Sequence, residues 1–376
     1  MNFTDTIKSV ELVLSTGEVP LIVGESGIGK TALAKSLANV NKWSLIVIDG
    51  NLLKEGEIGG LPTIETYVGM DEKGSPVETK TTIYAVHHKL RELDEELAKG
   101  NTVLLFIDEI NRCEHTVQQE LMNLILNREI NGYHLSESVK ILAAMNPSGK
   151  YGSDFDYQVV DMDAAQENRF VWLYMEADHI QWLEWAMDHG VEQKVIEFIG
   201  TFPEYLHKTK GDAIKATPRS YERISKAYKS YMEQNESIPR SVFLNVIKGN
   251  VGKLIAEEFI LFVESDYSPL ITFDDIFIPE TLSENLTERI QKESHTRLYL
   301  TAKNILKNLD LKIKNDIVET ELYLNRFIQF LKLYPIDLRI GIMKDLKANF
   351  GGLYEYAMEN ETFVDLYFES YASIKG

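Results

Sequence analysis

Cysteine is nearly missing from these 376 residues, and Cys113 stands alone. One thiol cannot close an internal disulfide, nor by itself hold zinc. A reducing, cytoplasmic setting is therefore expected, with Cys113 read as a small helix residue without a role. Long apolar runs are missing too. The longest, such as Val103–Ile107 and Phe259–Val263, fall far short of the ~20 residues that cross a bilayer, so no membrane span is expected. The opening Met-Asn-Phe-Thr-Asp has neither the basic nor the apolar stretch of a secretion signal. Positive charge is in short supply, with 39 Lys and Arg against 58 Asp and Glu, a net charge of -19. Affinity for a phosphate backbone comes from clustered cations, so this balance argues against nucleic acid and for a protein partner. The 18 tyrosines, with no basic stripe beside them, do not form a base-stacking platform.

What is present is 44% hydrophobic and 26% charged, the proportions of a water-soluble globular chain. Its length exceeds one compact core. Apolar runs at Glu18–Val23, Ser44–Ile48, Thr102–Ile107, Lys140–Met145 and Phe170–Met175 each end in polar or turn residues. Helical stretches separate them. This alternation predicts an α/β fold, a five-stranded parallel sheet with helices on both faces and a ligand crevice at the carboxyl ends of its strands. From Asp178 onward helical periodicity takes over, in Ile180–His189, Glu192–Ile199, Arg219–Gln234 and Ser241–Val263. After the turn-like Ser265–Pro269, further helices are expected around Leu306, Leu309 and Leu311 and around Leu322, Leu324, Phe327, Phe330 and Leu331. The expected domains are residues 1–176, the αβα nucleotide-binding domain; 177–264, an all-α lid; and 265–376, a helical extension of unknown role.

Gly24-Glu25-Ser26-Gly27-Ile28-Gly29-Lys30-Thr31 follows the first strand and opens a helix. It matches G-x-x-x-x-G-K-[ST] in full, and the strand–loop–helix context makes the match specific. Glycines let successive backbone N–H groups turn inward around phosphate oxygens, and the helix start at Lys30-Thr31-Ala32 aims its positive end at the same place. Lys30 would reach the β and γ phosphates, and Thr31 would offer its hydroxyl to Mg²⁺. Val103-Leu104-Leu105-Phe106-Ile107-Asp108-Glu109 ends a buried strand in two carboxylates. Alone, such a pair serves equally as a helix cap. Downstream of a phosphate loop it reads as Asp108 holding Mg²⁺ through its water shell and Glu109 polarising the attacking water.

Asn146 ends the fourth strand, which a doubly wound sheet sets beside the first and third. A neutral amide there can orient water or touch the γ phosphate without adding charge; alone, before Pro147, it would be a turn residue. Arg169, at the junction of a helix and the fifth strand, is badly placed for its own nucleotide. It reads as an arginine delivered to a neighbouring subunit, or as a plain surface arginine. Thr217-Pro218-Arg219 reads as the N-cap and first two residues of a helix, where a cation is locally disfavoured unless a phosphate sits nearby.

These motifs together resemble the AAA+ ATPases, and within them the MoxR-like branch that includes midasin-type and McrB-like modules. Ile107-Asp108-Glu109-Ile110-Asn111-Arg112 is similar to that branch's "DEINR" acid motif, and Ala143-Ala144-Met145-Asn146-Pro147 to its sensor-1 strand. Asp163–Phe170 resembles its helix ending in "RF", and Ala216-Thr217-Pro218-Arg219-Ser220 its sensor-2 motif. The resemblance covers Leu21 to about Val263. It implies Lys30 and Thr31 for phosphate and Mg²⁺, Asp108 for Mg²⁺, Glu109 for water activation and Asn146 as sensor 1. It further implies Arg169 as the finger across a subunit boundary and Arg219 as sensor 2. Gly56–Thr82 looks like the branch's pore-facing hairpin insertion, and Asn131-Gly132 fits a second hairpin before sensor 1. The implied function is ATP hydrolysis with Mg²⁺ in a homo-hexameric ring that remodels or matures a protein partner, possessing in some members a metal-dependent adhesion-type domain. A McrB-like nucleic-acid motor and a nucleotide-gated scaffold with little turnover stand as rivals. The first lacks a basic patch, and intact Glu109 and Arg169 speak against the second. The departures are the Tyr151–Tyr157 approach to Arg169, where the branch is richer in proline, and the final ~110 residues beyond a minimal module. His87-His88 is not read as a metal site, because neighbours on a helix point about 100° apart.

Overall fold

The computed structural model describes residues 1–70, 74–148, 159–208, 214–234, 237–264, 270–279, 281–315 and 320–372. Lys73, the Tyr151–Tyr157 approach and the Ser265–Pro269 turn lie outside them. The chain divides into two compact units, Met1–Gln181 with His207–Glu222, and Trp182–Leu206 with Arg223–Gly376.

In the first unit the order is α1 (Phe3–Ser15), β1 (Pro20–Val23), α2 (Lys30–Asn41), β2 (Ser44–Asp49), β3 (Pro62–Met70), β4 (Pro76–Tyr84), α3 (His88–Ala98), β5 (Val103–Asp108) and α4 (His115–Met122). There follow β6 (Glu129–Ile130), β7 (Tyr133–His134), β8 (Lys140–Met145), α5 (Ala164–Glu167), β9 (Val171–Tyr174) and the start of α6 (His179–Asp188). The five expected strands form one sheet in the order β2-β5-β8-β1-β9, every pair parallel. The apolar runs of the central strands β1, β5 and β8 are buried on both faces, as in a sheet covered by helices on each side, while the edge strands β2 and β9 are partly exposed. Alternate residues feed two cores. Leu21, Val23, Leu105, Ile107, Ala143 and Met145 face one, with Leu90 and Leu93 of α3 and Val117 and Leu121 of α4. Ile22, Leu104, Phe106, Leu142 and Ala144 face the other, with Val10 of α1 and Leu33 and Leu37 of α2. The registers Val23↔Met145, Ile107↔Ala143 and Asp49↔Asp108 bring the carboxyl ends of β1, β8, β5 and β2 side by side.

Two hairpins leave this unit where the sequence placed them. β3 and β4 pair antiparallel along nine residues each, and nearly every residue on both faces is exposed. β6 and β7 pair across Asn131-Gly132, both at positive φ (45° and 83°), the backbone that an Asn-Gly hairpin turn needs.

The second unit is helical. It holds the body of α6, α7 (Gln193–Thr201), most of α8 (Pro218–Glu233), α9 (Arg240–Val251), α10 (Lys253–Glu264), α11 (Phe273–Phe277), α12 (Glu284–Lys292), α13 (His295–Asn315), α14 (Thr320–Leu331), α15 (Ile336–Asn349), α16 (Gly351–Glu359) and α17 (Glu361–Ala372). One expectation is corrected here. Ser241–Val263 is not one helix but two, because Gly252 takes φ 82°, which a right-handed helix cannot contain. Leu311 and Leu322 are 53% and 63% exposed, whereas Leu306, Leu309, Leu324, Phe327, Phe330 and Leu331 are buried. Each stray leucine lies two positions from its buried neighbour, about 200° round the helix.

Helices of residues 265–376 contact α6 within this unit. Lys303 Nζ of α13 meets Glu184 Oε1 of α6 at 3.0 Å and Asp345 Oδ1 of α15 at 2.8 Å. Tyr299 donates to Glu184 at 2.8 Å. Among the described residues, no helix is long and apolar enough to cross a membrane.

Candidate active site

The loop after β1 turns through Gly27 (φ 81°) and Gly29 (φ 108°), conformations that only glycine adopts without strain. Gly24 is needed for space as well: a Cβ there would come within 2.9 Å of Met175 O. Ile28 points into the core, so it offers the loop its backbone alone, while Glu25 and Ser26 are half-buried. Helix α2 begins at Lys30 with no side chain capping it, so the N–H groups of Lys30, Thr31 and Ala32 lack intrahelical acceptors and suit an anion.

Lys30 is 7% exposed. Its ammonium donates to Gly24 O at 2.6 Å, Glu25 O at 3.0 Å and Asn146 Oδ1 at 2.8 Å. Burial lowers its pKa to about 8, although Asp108, Glu109 and Glu25 pull the other way; Arg219 adds to the lowering. A buried cation held largely by neutral acceptors is a group that gains when phosphate arrives.

The strand β5 delivers the acids. Thr31 Oγ1 donates to Asp108 Oδ2 at 2.6 Å, and Glu109 N donates to Asp108 Oδ1 at 2.9 Å. A hydroxyl and one carboxylate side by side form a hard, oxygen-only donor set. That suits Mg²⁺, which keeps several waters and takes only one or two protein ligands. Thr31 and Asp108 would hold it; a bound Mg²⁺ supplies charge neutralisation between phosphates. No group of three or more His, Cys, Asp or Glu able to hold a metal occurs among the described residues. Glu109 sits at φ 52°, a left-handed conformation, and its two carboxylate oxygens both lie 3.2 Å from Arg112 Nη1. The carboxylate expected to polarise water is thus engaged by a neighbouring arginine.

Asn146 ends β8 between β1 and β5, as the sheet order predicts. Arg219 is exposed in the first turn of α8, within electrostatic reach of Lys30. Its segment is fitted to the loop: a Cβ on Gly27 would lie 2.7 Å from Thr217 Oγ1. Arg169 is not brought to these groups. It is exposed and precedes β9, whose first residue Val171 pairs with Pro20 at the amino end of β1. Three residues of strand rise, about 10 Å, separate that level from the carboxyl ends of β1 and β9.

Three residues escaped the sequence reading. Asn111 bonds the backbone of Asn146 on both sides. Asp49, level with Asp108, is a third carboxylate whose pKa is raised by burial and by the nearby Glu109 and Asp108. Thr217 seats on Gly27. Only the strand-end position of Asp49 was a visible signal; the other two are tertiary contacts. Cys113, expected in a helix, lies instead in the bend before α4; it is buried, and burial pushes its thiol up to about 11. His87 accepts from Lys89 N at the start of α3, and its ring lies 4.3 Å from that of His88, tilted by 46°.

Residues 20–155 match the model of the ATPase family associated with various cellular activities (AAA). This stretch is an AAA ATPase domain. ATP hydrolysis is the activity of such a domain, and AAA ATPases bind ATP, generally with Mg²⁺, and generally oligomerise. The match takes in the phosphate loop, Asp108, Glu109 and Asn146, and ends before Arg169 and Arg219. No curated protein matches the chain. Among solved structures, the RuvB Holliday junction branch migration motor of Thermotoga maritima is 15% identical over 81% of this chain and 87% of that one, with a TM-score of 0.37. A single-residue variant of that RuvB gives 16%, 81%, 86% and 0.39. A Cytophaga hutchinsonii chain described as an ATPase is 14% identical over 69% of this chain and 92% of its own, at 0.31. These whole-chain superpositions are loose, and the AAA assignment rests on the matched segment.

Proposed function

We propose that this chain is a MoxR-like AAA+ ATPase that binds ATP with Mg²⁺, works as a cytoplasmic homo-hexameric ring and remodels or matures a protein partner. The observation that carries the reading is the position of Arg169, exposed at the amino end of the sheet, far from its own phosphate loop. An arginine so placed serves hydrolysis only through a second copy of the chain. In each site Gly24–Ala32 cradle the phosphates, Lys30 supplies the cation, Thr31 and Asp108 hold the metal, and Glu109 draws a proton from the attacking water. Asn146 and Arg219 touch the terminal phosphate. Support for the branch comes from the two hairpins, one between β2 and α3 and one before β8. The net charge of -19 favours a protein client over nucleic acid; a client with a metal-dependent adhesion-type domain is the first to try.

The test is subunit mixing. Lys30→Ala should abolish hydrolysis, and Arg169→Ala should lower it by about 10³-fold or more with ATP still bound. Mixed together, the two inactive chains should regain activity, because some interfaces then pair an intact Lys30 with an intact Arg169. Full activity of Lys30→Ala would sink the site assignment, and full activity of Arg169→Ala the ring reading. Glu109→Gln, which should hold ATP without cleaving it, is the variant for sizing the assembly and capturing the client.

A further inference from the structure

We propose that Asn111 is a positioning residue for ATP hydrolysis, fixing Asn146 so that its side-chain amide faces the reacting phosphate. The proposal rests on the reading of Asn146 given above.

β5 leaves the sheet at Asp108, where Glu109 turns the chain at φ 52°. Beyond this point β8 loses its strand neighbour on that side. Ile110 N still reaches Ala144 O at 3.1 Å. The next pairing is made by a side chain instead: Asn111 Nδ2 donates to Asn146 O at 2.7 Å, and Asn111 Oδ1 accepts from Asn146 N at 3.3 Å. A primary amide carries donor and acceptor side by side, so it can stand in for a strand backbone opposite a single residue. Both asparagines are 1% exposed, so water cannot replace these bonds. Asn111 is itself held, since its carbonyl accepts from Val160 N at 2.8 Å, and Gln118 donates to Val160 O at 3.0 Å.

With its backbone clamped, Asn146 has one side-chain orientation defined by Lys30, which donates to Oδ1. Asn146 Nδ2 is then left buried with no hydrogen-bond partner among the described residues. A buried donor without an acceptor is costly, and beside Lys30 the missing acceptor is an oxygen of phosphate or of the attacking water. Asn111 touches neither. Its effect passes through Asn146.

The experiment is a double-mutant cycle on the full chain, with steady-state kcat and KM for ATP measured for Asn111→Leu, Asn146→Ala and the pair. Asn111→Leu should lower kcat by about ten- to hundredfold, as loss of an orienting partner does, with KM changed less than about threefold. In the Asn146→Ala background the same substitution should cost less than about threefold. An equal loss in both backgrounds, with Asn146→Ala itself impaired, would overturn the role of Asn111 and leave that of Asn146 standing. An unimpaired Asn146→Ala chain would overturn both. Should Asn111→Leu fail to fold, Asn111→Asp replaces it. That carboxylate keeps an acceptor for Asn146 N–H but lacks the donor until protonated. Its kcat relative to the unsubstituted chain should rise as pH falls from 8 toward 5.5; a flat ratio would overturn the proposal.

Discussion

Lys30 makes proton uptake a direct report on phosphate binding. In the ligand-free site its pKa stands near 8, so at pH 8 about half of the chains carry a neutral amine there. Phosphates brought against the amine favour its charged form and raise its pKa well above 8. Binding of Mg-ATP at pH 8 should then take up about half a proton, and at pH 6.5 almost none. The sign fixes the affinity profile as well. A group whose pKa rises on binding strengthens binding below its free-state pKa and weakens it above. Association should therefore weaken about tenfold between pH 7 and pH 9. Other groups identified near the loop stay out of this window: the raised Asp49 carboxyl starts from 3.8, and burial moves His207 below its ordinary 6.5. The assay is titration calorimetry with Glu109→Gln, to prevent turnover, in two buffers of different ionisation enthalpy. The difference between their apparent enthalpies counts the protons. Lys30→Met in the same background removes the titrating group, so its uptake at pH 8 should fall to near zero. Equal uptake with and without Lys30, or none in either, would refute the assignment of the lowered pKa to a phosphate-binding lysine.

Two further outcomes follow from other contacts. Arg112→Gln frees Glu109 from a half-exposed ion pair worth about 0–1 kcal/mol, so kcat should rise, by no more than about fivefold; a tenfold fall would mean that Arg112 itself serves the reaction. Lys303→Met strands Asp345 and Glu184, and a chemical denaturation series should show the helical unit losing about 3–5 kcal/mol at pH 7.5. The loss should shrink toward pH 5 as the stranded carboxylates take up protons; a loss independent of pH would mean that packing, not charge, is at stake.

Much of the αβα unit was legible because its signals are local. Five strands announce themselves as apolar runs, and a glycine loop, an acid pair and an Asn-Gly turn each require particular residues at fixed spacing. Lys30, Thr31, Asp108 and Asn146 converge because strand order alone brings the ends of β1, β5 and β8 together. The clamp of Asn111 on Asn146 spans 35 residues and depends on where β5 leaves the sheet, which no spacing encodes. The same holds for the engagement of Glu109 by Arg112, a rotamer choice among several acids and bases. In the helical unit, Gly252 was overlooked because a glycine inside an apolar period is usually tolerated; only its φ reveals the break. Leu311 and Leu322 lie in the expected helices but on their exposed sides, because leucine is apolar wherever it stands and burial depends on the helix face.

The long β3–β4 hairpin departs from the body at Leu61 and returns at Ala85, whose N–H donates to Leu61 O at 3.0 Å. Entry and exit are thus already joined, and none of the sheet's registers depends on what lies between. Residues 62–84 behave as a cassette: they can be shortened, lengthened or exchanged without disturbing the sheet that carries Lys30 and Asp108. A chain built this way can change its hairpin over generations while its hydrolytic chemistry stays fixed, and an engineer can do the same in one step.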